Sequence, residues 1–388
     1  MAVLGALLTG TAMVGFAAWV GCGIYDPSLL LPAAGDDGGP DGIAEVGGND
    51  AAPDVQGPCP ELFPPAKPAA DDPSDAGDQT LTMALHTIDV GFGNDGGAPP
   101  LYGYDLDLIY TGCDGGAESC GAAVAGASHP DEAQGRDNSG GQLLAKLASF
   151  DPGQFNANTI TQRLQNGVYS IVIALLHYNG QPNDTQVTAA LYTSDGIQGV
   201  GDAAPPPAAW DGGDVWTIDS ASVLLADASP PVGNFSDGVA YVANGVLVMH
   251  VNFPISLGTS ATGGLSVSLT GGVVTGHIVP VGNGTYRIPD GIIAGRWNVT
   301  SLLTAVQSLN VGGLSLCPDG GLYTNIKTQI CQYSDIMTSF ADDRTGKTCD
   351  ALSLALAFTA DPAQIGDVVG KQLTASPCGT TPPDSCSQ

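Results

Sequence analysis

The sequence predicts a mainly β protein: an antiparallel β-sandwich, jelly-roll-like, with a few short peripheral helices. Three observations predict it. Short apolar runs rich in Val, Ile, Leu and Tyr recur from residue 80 onward, several alternating with polar residues, as half-buried strands do. The 55 Gly and 28 Pro fall largely between those runs, where turns need them. Apolar residues at helical spacing are confined to a few short stretches, which places helices at the edges of a β fold.

The strands follow in order. TLTMALHTIDV (80–90) puts Leu81, Met83 and Leu85 on one face. VYSIVIALL (168–176) is nearly continuous, the pattern of a strand covered on both faces. TQVTAALYT (185–193), DVWTID (214–219), LSVSL (265–269), VVTGHIV (273–279) and LSLALAF (352–358) are further strands. In AYVANGVLVMHVNF the pair Asn244-Gly245 sits between two apolar runs and predicts a type I′ hairpin. GYDLDLIYTGC (103–113) also reads as a strand. That places Asp105 and Asp107 on one face and Tyr104, Leu106 and Leu108 on the other. Helices are predicted at DNSGGQLLAKLASF (137–150), at NTITQRLQNG with Asn158 as cap and Gly167 as stop, at VTSLLTAVQSL (299–309) and at TNIKTQICQY (324–333).

The N-terminus predicts an address. Residues 2–21 carry no charge, which suits a signal peptide or a single membrane-spanning helix. Ala18-Trp19-Val20-Gly21-Cys22 resembles a bacterial lipobox, in which the Cys becomes the acylated first residue. The Asp that typically retains lipoproteins at the inner membrane does not follow Cys22, so an outer-membrane lipoprotein, periplasmic or surface-facing, is expected. The organisation predicted is a signal peptide (1–21), lipidated Cys22 with a disordered Asp/Gly/Pro tether (22–58), and a disulfide-stapled β-sandwich (59–388). Setting Cys22 aside leaves Cys59, Cys113, Cys120, Cys317, Cys331, Cys349, Cys378 and Cys386, an even set suited to an exported disulfide protein. Loop length alone favours Cys113–Cys120 and Cys378–Cys386 as pairs, with the others unassigned.

Charge narrows the partners. The chain holds 39 acidic and 10 basic residues, a formal net charge of −29. Nucleic acid would be repelled, and so would an anionic membrane surface, so membrane attachment rests on the lipid. All the acids but Glu45, Glu61, Glu118 and Glu132 are Asp. Asp105 and Asp107, with Asp137 and Asn138 of GRDN, make an oxygen-donor set suited to Ca²⁺. The competing reading is that these acids face solvent, accept loop amides or are neutralised by Arg136. The two Asp also raise the idea of an envelope glycosidase. Trp210, Trp216 and Tyr178 would supply the sugar platform of a calcium-dependent, lectin-like module. No HExxH, nucleophile elbow or P-loop is present, and His86, His129, His177, His250 and His277 are scattered. No catalytic residue is therefore assigned. The leading expectation is a lipid-anchored envelope protein with a structural or binding role, its partner a glycan or an envelope protein.

GCGIYDPSLL, GYDLDLIYTGC, GRDNSGGQLL, NGVYSIVIALLHYNGQPNDTQV, WDGGDVWTID, DGIIAGRW and ICQYSDIM with CDALSLALAFTADPAQIG together resemble uncharacterised lipoproteins of myxobacteria and their relatives, over most of residues 80–366. The resemblance implies export and a shared fold, and it supplies no activity, substrate or catalytic residue.

Overall fold

The computed structural model describes residues 60–73, 78–89, 102–113, 118–150, 157–199, 205–257, 265–311, 314–318, 320–370, 378–379 and 383–386. The expected signal peptide, Cys22, the tether and Cys59 lie outside them. No described helix is long and apolar enough to cross a membrane.

Eight strands form a ring: β1 (Gln79–Asp89), β2 (Ser170–Tyr178), β3 (Asp184–Ser194), β4 (Phe235–Ala243), β5 (Val246–His250), β6 (Leu265–His277), β7 (Thr285–Asn298) and β8 (Ala351–Pro362). Each pairs antiparallel with its neighbours in this order, and β8 returns to β1. The mainly β, antiparallel expectation holds. The sandwich is corrected to a closed up-and-down barrel. The reason lies in two strands. LSVSL and the first five residues of VVTGHIV are one strand, β6, which runs through Gly271-Gly272 with a register shift between Thr270 and Val273 and pairs with both β5 and β7. β7, TYRIPDGIIAGRWN, is a strand of 14 residues where the sequence predicts none. Its Pro289, Gly291 and Gly295 break the alternation, and Pro289 falls at a register shift between Ile288 and Gly291, where a bulge excuses its missing donor. Such bulges let a sheet curl until it closes.

The barrel interior is filled by side chains. Leu81, Met83 and Leu85 point inward, as the alternation predicts, and meet Ile171, Ile173 and Leu175 of β2. The outward residues of β2, Val172 and Ala174, are buried beneath Trp216 and Ile218. Those two belong to a parallel pair of strands, Val215–Asp219 and Gln364–Val369, on the outer wall. Burial on both faces over residues 171–175 explains why the apolar run there is unbroken. Asn244 and Gly245 take φ of 52° and 83° between β4 and β5, as a type I′ turn requires.

Four helices add their apolar faces to the same core: α1 (Ser139–Phe150), α2 (Ala157–Gln165), α3 (Val299–Val306) and α4 (Gly321–Gln332). They attach at one end of the barrel. α3 starts where β7 ends, capped by the Asn298 side chain, which accepts from the Ser301 amide. α2 precedes β2, and its Thr161 hydroxyl donates to the Ile88 carbonyl at 2.8 Å. α1 begins at Ser139, so Asp137 and Asn138 precede the helix rather than lie in it.

Among the described residues the bridges are Cys120–Cys349, Cys317–Cys378 and Cys331–Cys386, and Cys113 is also disulfide-bonded. Both pairs favoured by loop length are therefore corrected. The fold brings together cysteines 55 to 229 residues apart, which spacing along the chain cannot reveal.

Gly291 tests the closure. A Cβ there would lie 2.2 Å from the Phe358 ring of β8. Gly291→Ala is expected to cost about 1–3 kcal/mol, the usual cost of overpacking a filled core. Urea unfolding of the oxidised protein measures it, and unchanged stability would contradict this packing.

Candidate functional site

GYDLDLIYTGC does not form a strand. Residues 103–110 lie outside regular structure, laid against the outer wall of the barrel. Tyr104 is buried there with Val248, Val273, Ala294 and Ala355, and its hydroxyl bonds the Thr275 hydroxyl at 2.7 Å. The segment's carboxylates capture the amides that a ladder would have used. Asp105 Oδ1 accepts from the amides of Leu108 (2.6 Å) and Ile109 (3.2 Å). Asp107 Oδ1 accepts from the Ile109 amide at 2.9 Å. Leu108 at φ 60° completes the tight turn.

The GRDN turn then crosses this segment. The Asp137 amide donates to the Tyr104 carbonyl at 3.1 Å, and Asp137 Oδ2 accepts from the Leu106 amide at 2.7 Å. As a result Asp105, Asp107 and Asp137 each place one oxygen within 4.8 Å of the others. All three are buried, at 4%, 3% and 3% exposure. The convergence predicted from sequence is met for these three. Asn138 turns elsewhere. Its Oδ1 accepts from the amides of Ala355 (2.8 Å) and Gly141 (3.1 Å), and its Nδ2 donates to the Tyr102 carbonyl (3.4 Å). It caps α1 and bonds a β8 amide beyond Asp89↔Ala357, the last pair with β1.

Two acids of the site were not singled out from sequence. Asp131 accepts from the Thr111 amide at 2.7 Å and raises the pKa of both Asp107 and Asp137. Asp335 accepts from the Ser353 amide (2.9 Å) and hydroxyl (2.5 Å). HPDEAQGRDN places Asp131 six residues before Asp137 in one polar turn, a signal that could have added it. Nothing near Asp335 in the sequence points to the site.

The basic side chains nearby look past the three carboxylates. Arg136 donates to Gln134 Oε1 at 2.6 Å, so it does not neutralise them as one reading of the sequence expected. Arg344 donates to the carbonyls of Asp107 and Leu108. Arg296 is occupied by Asp343. Among the described residues, no ion pair includes Asp105, Asp107 or Asp137. Burial, with Glu61 next, pushes Asp105 up to about 6. Burial, then Asp131 and Asp105, pushes Asp107 up to about 8. Burial raises Asp137 as well, followed by the charges of Asp107 and Asp131. One atom stands out: Asp105 Oδ2 is buried without a hydrogen-bond partner among the described residues. It faces Gly135, whose Cβ, had it one, would sit 3.1 Å away.

The remaining candidates divide. Oδ1 of Asp105 and of Asp107 is committed to loop amides, so the pair does not offer two free carboxyls to a glycosidic bond. Trp216 and Tyr178 are buried, and Trp210 is partly buried and stacked on His86 at 4.2 Å. The three aromatics do not make an exposed sugar platform. His129 lines the clefts that reach Asp107, Asp131 and Asp137, but its Nε2 already bonds the Gln332 carbonyl at 2.5 Å.

No protein-family model matches the chain, and comparison with curated proteins and with solved structures gives no significant match.

The raised carboxyls set a sign for pH dependence. The folded chain keeps a proton on Asp107 that the unfolded chain releases above about pH 4. Stability therefore falls as pH rises from about 4 toward 8, in the absence of any other compensating charge. Asp107→Asn keeps the bond from the Ile109 amide and removes this burden. In metal-free buffer the variant is expected to melt about 3 °C or more above wild type at pH 8 and to gain less at pH 5. Equal gains at both pH values would contradict the assignment.

Proposed function

We propose that this chain is an exported protein, held at the cell envelope by a lipid on Cys22, whose barrel has a structural or binding role there. The observation that carries this reading is the disulfide set. Three bridges join cysteines far apart in sequence, and such bridges persist in oxidising compartments. The uncharged run before Cys22 and the Asp/Gly/Pro segment after it support a signal, an anchor and a tether. The barrel interior is packed with Leu, Ile and Met, which favours a binding surface on the outer wall or the ends. With a net charge of −29, a neutral glycan or a basic face of an envelope protein suits it better than any polyanion.

Mass spectrometry of the protein purified from its native membranes tests the anchor. The expected N-terminal peptide begins at acylated Cys22, and Cys22→Ser is expected to leave the protein in the soluble fraction or uncut. A mature N-terminus at Met1 with an unmodified Cys22 would overturn the reading.

A further inference from the structure

We propose that Asp105, Asp107 and Asp137 bind one hard divalent cation, with Ca²⁺ the best fit. The inference does not depend on the lipid anchor. Its geometric basis is the convergence of three buried carboxylates from two separate segments, each offering an oxygen within 4.8 Å of the others. Oxygens around Ca²⁺ lie about 2.3–2.6 Å from the ion, so those on opposite sides are about 5 Å apart. The observed cluster fits within that span without rearrangement.

A second observation points to a ligand independently. Asp105 is nine-tenths buried or more, yet its Oδ2 has no donor among the described residues. Native interiors rarely leave such an oxygen unsatisfied. Its partner oxygen, Oδ1, is held by the Leu108 and Ile109 amides, so Oδ2 is fixed in orientation. It faces Gly135, two residues before Asp137, and thus lies toward the turn that brings the third carboxylate. Among the described residues, no arginine is placed to fill this role. Arg296 and Arg344 spend donors on the carbonyls of Leu106, Asp107 and Leu108, which fastens the segment while leaving its carboxylates without a cation.

Donor chemistry selects the ion class. The three groups are carboxylates, which suit hard cations rather than thiophilic or imidazole-loving metals. Small clefts lined by Asp107, Asp131, Asp137 and Asp335 lie beside the Asp107 and Asp137 carboxyls. Ca²⁺ tolerates a mixed and irregular shell, whereas Mg²⁺ demands a near-octahedral one and sheds water reluctantly. A bound ion would join residues 105–107 to the 135–137 turn, so binding must stabilise the fold.

The test uses the full oxidised chain, stripped of metal, with Ca²⁺ and Mg²⁺ as the probes. Equilibrium dialysis is expected to find one tightly held Ca²⁺ per chain, at least tenfold tighter than Mg²⁺, with a higher melting temperature on binding. Asp105→Asn and Asp137→Asn can keep their bonds from the Leu108 and Leu106 amides, and each is expected to weaken Ca²⁺ at least tenfold. Asp290→Asn, on the surface beside His277, should leave binding unchanged. Should a variant not fold, hydrogen exchange on the wild type decides: Ca²⁺ must slow the amides of 106–109 and 135–138. No stoichiometric ion, Ca²⁺ held equally by wild type and both variants, or unchanged exchange in those segments would overturn the proposal and leave only a diffuse acidic surface.

Discussion

The Arg296 guanidinium is the interaction on which the outer wall of this barrel depends. It projects from β7 with a side chain 4% exposed. Its Nη1 donates to Asp343 Oδ1 and the Met337 carbonyl, and its Nη2 to Asp343 Oδ2 and the Leu106 carbonyl, at 2.5–3.0 Å. One buried cation thus holds two loops, around 106 and around 337–343, to one strand. A planar guanidinium suits this task because its donors are fixed in a fork. Removing one member of such a pair leaves a buried, uncompensated charge, at a typical cost of about 3–5 kcal/mol. The same arrangement shapes the site. Because Arg296 is consumed by Asp343 and by carbonyls, the carboxylates of Asp105, Asp107 and Asp137 come together with no protein cation among the described residues.

Covalent bonds reinforce this wall. Cys120–Cys349 ties the 118–121 segment to the start of β8. Around it the Gly121 amide donates to the Lys347 carbonyl (2.7 Å) and the Cys349 amide to the Gly121 carbonyl (2.8 Å). Ser119 donates to the same Asp343 that holds Arg296, at 2.8 Å. Two further bridges tie residues 378 and 386 to the region of α4. In the chain-entropy account, long loops of this kind each contribute about 4–5.5 kcal/mol. A barrel whose outer loops carry polar and acidic groups, with little apolar area of their own, gains most from such cross-links.

Much of the barrel was legible because its strands obey simple burial patterns. Leu81, Met83 and Leu85 alternate because β1 has one face in the core, and residues 171–175 run apolar because β2 is covered twice there. Closure was not legible, since it rests on β7, where Pro289, Gly291 and Gly295 hide the period and Phe358 fills the space that Gly291 leaves open. The site was partly legible. The Asp-x-Asp spacing and the GRDN turn pointed to three acids that the fold does bring together, though by another route. Asp105 and Asp107 converge through captured loop amides, with Leu108 at positive φ, and not through the alternation of a strand. Asn138 was misread because its carbonyl oxygen is needed by α1 and by the open edge of β8. Asp131 and Asp335 arrive by tertiary packing, as do the partners of Cys120, Cys378 and Cys386.

Arg296 and Asp343 hold the carboxylate-bearing segment to the barrel. Hydrogen exchange on the double variant Arg296→Met with Asp343→Leu tests it directly, because removing both charges avoids stranding either one. The amides of Leu106, Leu108 and Ile109, now bonded to Asp137, Asp105 and Asp107, should lose at least tenfold in protection. Those of Met83 and Ile173, paired across β1 and β2, should keep theirs. Undiminished protection at residues 106–109 would show that the segment holds its shape without the ion pair and would contradict the account.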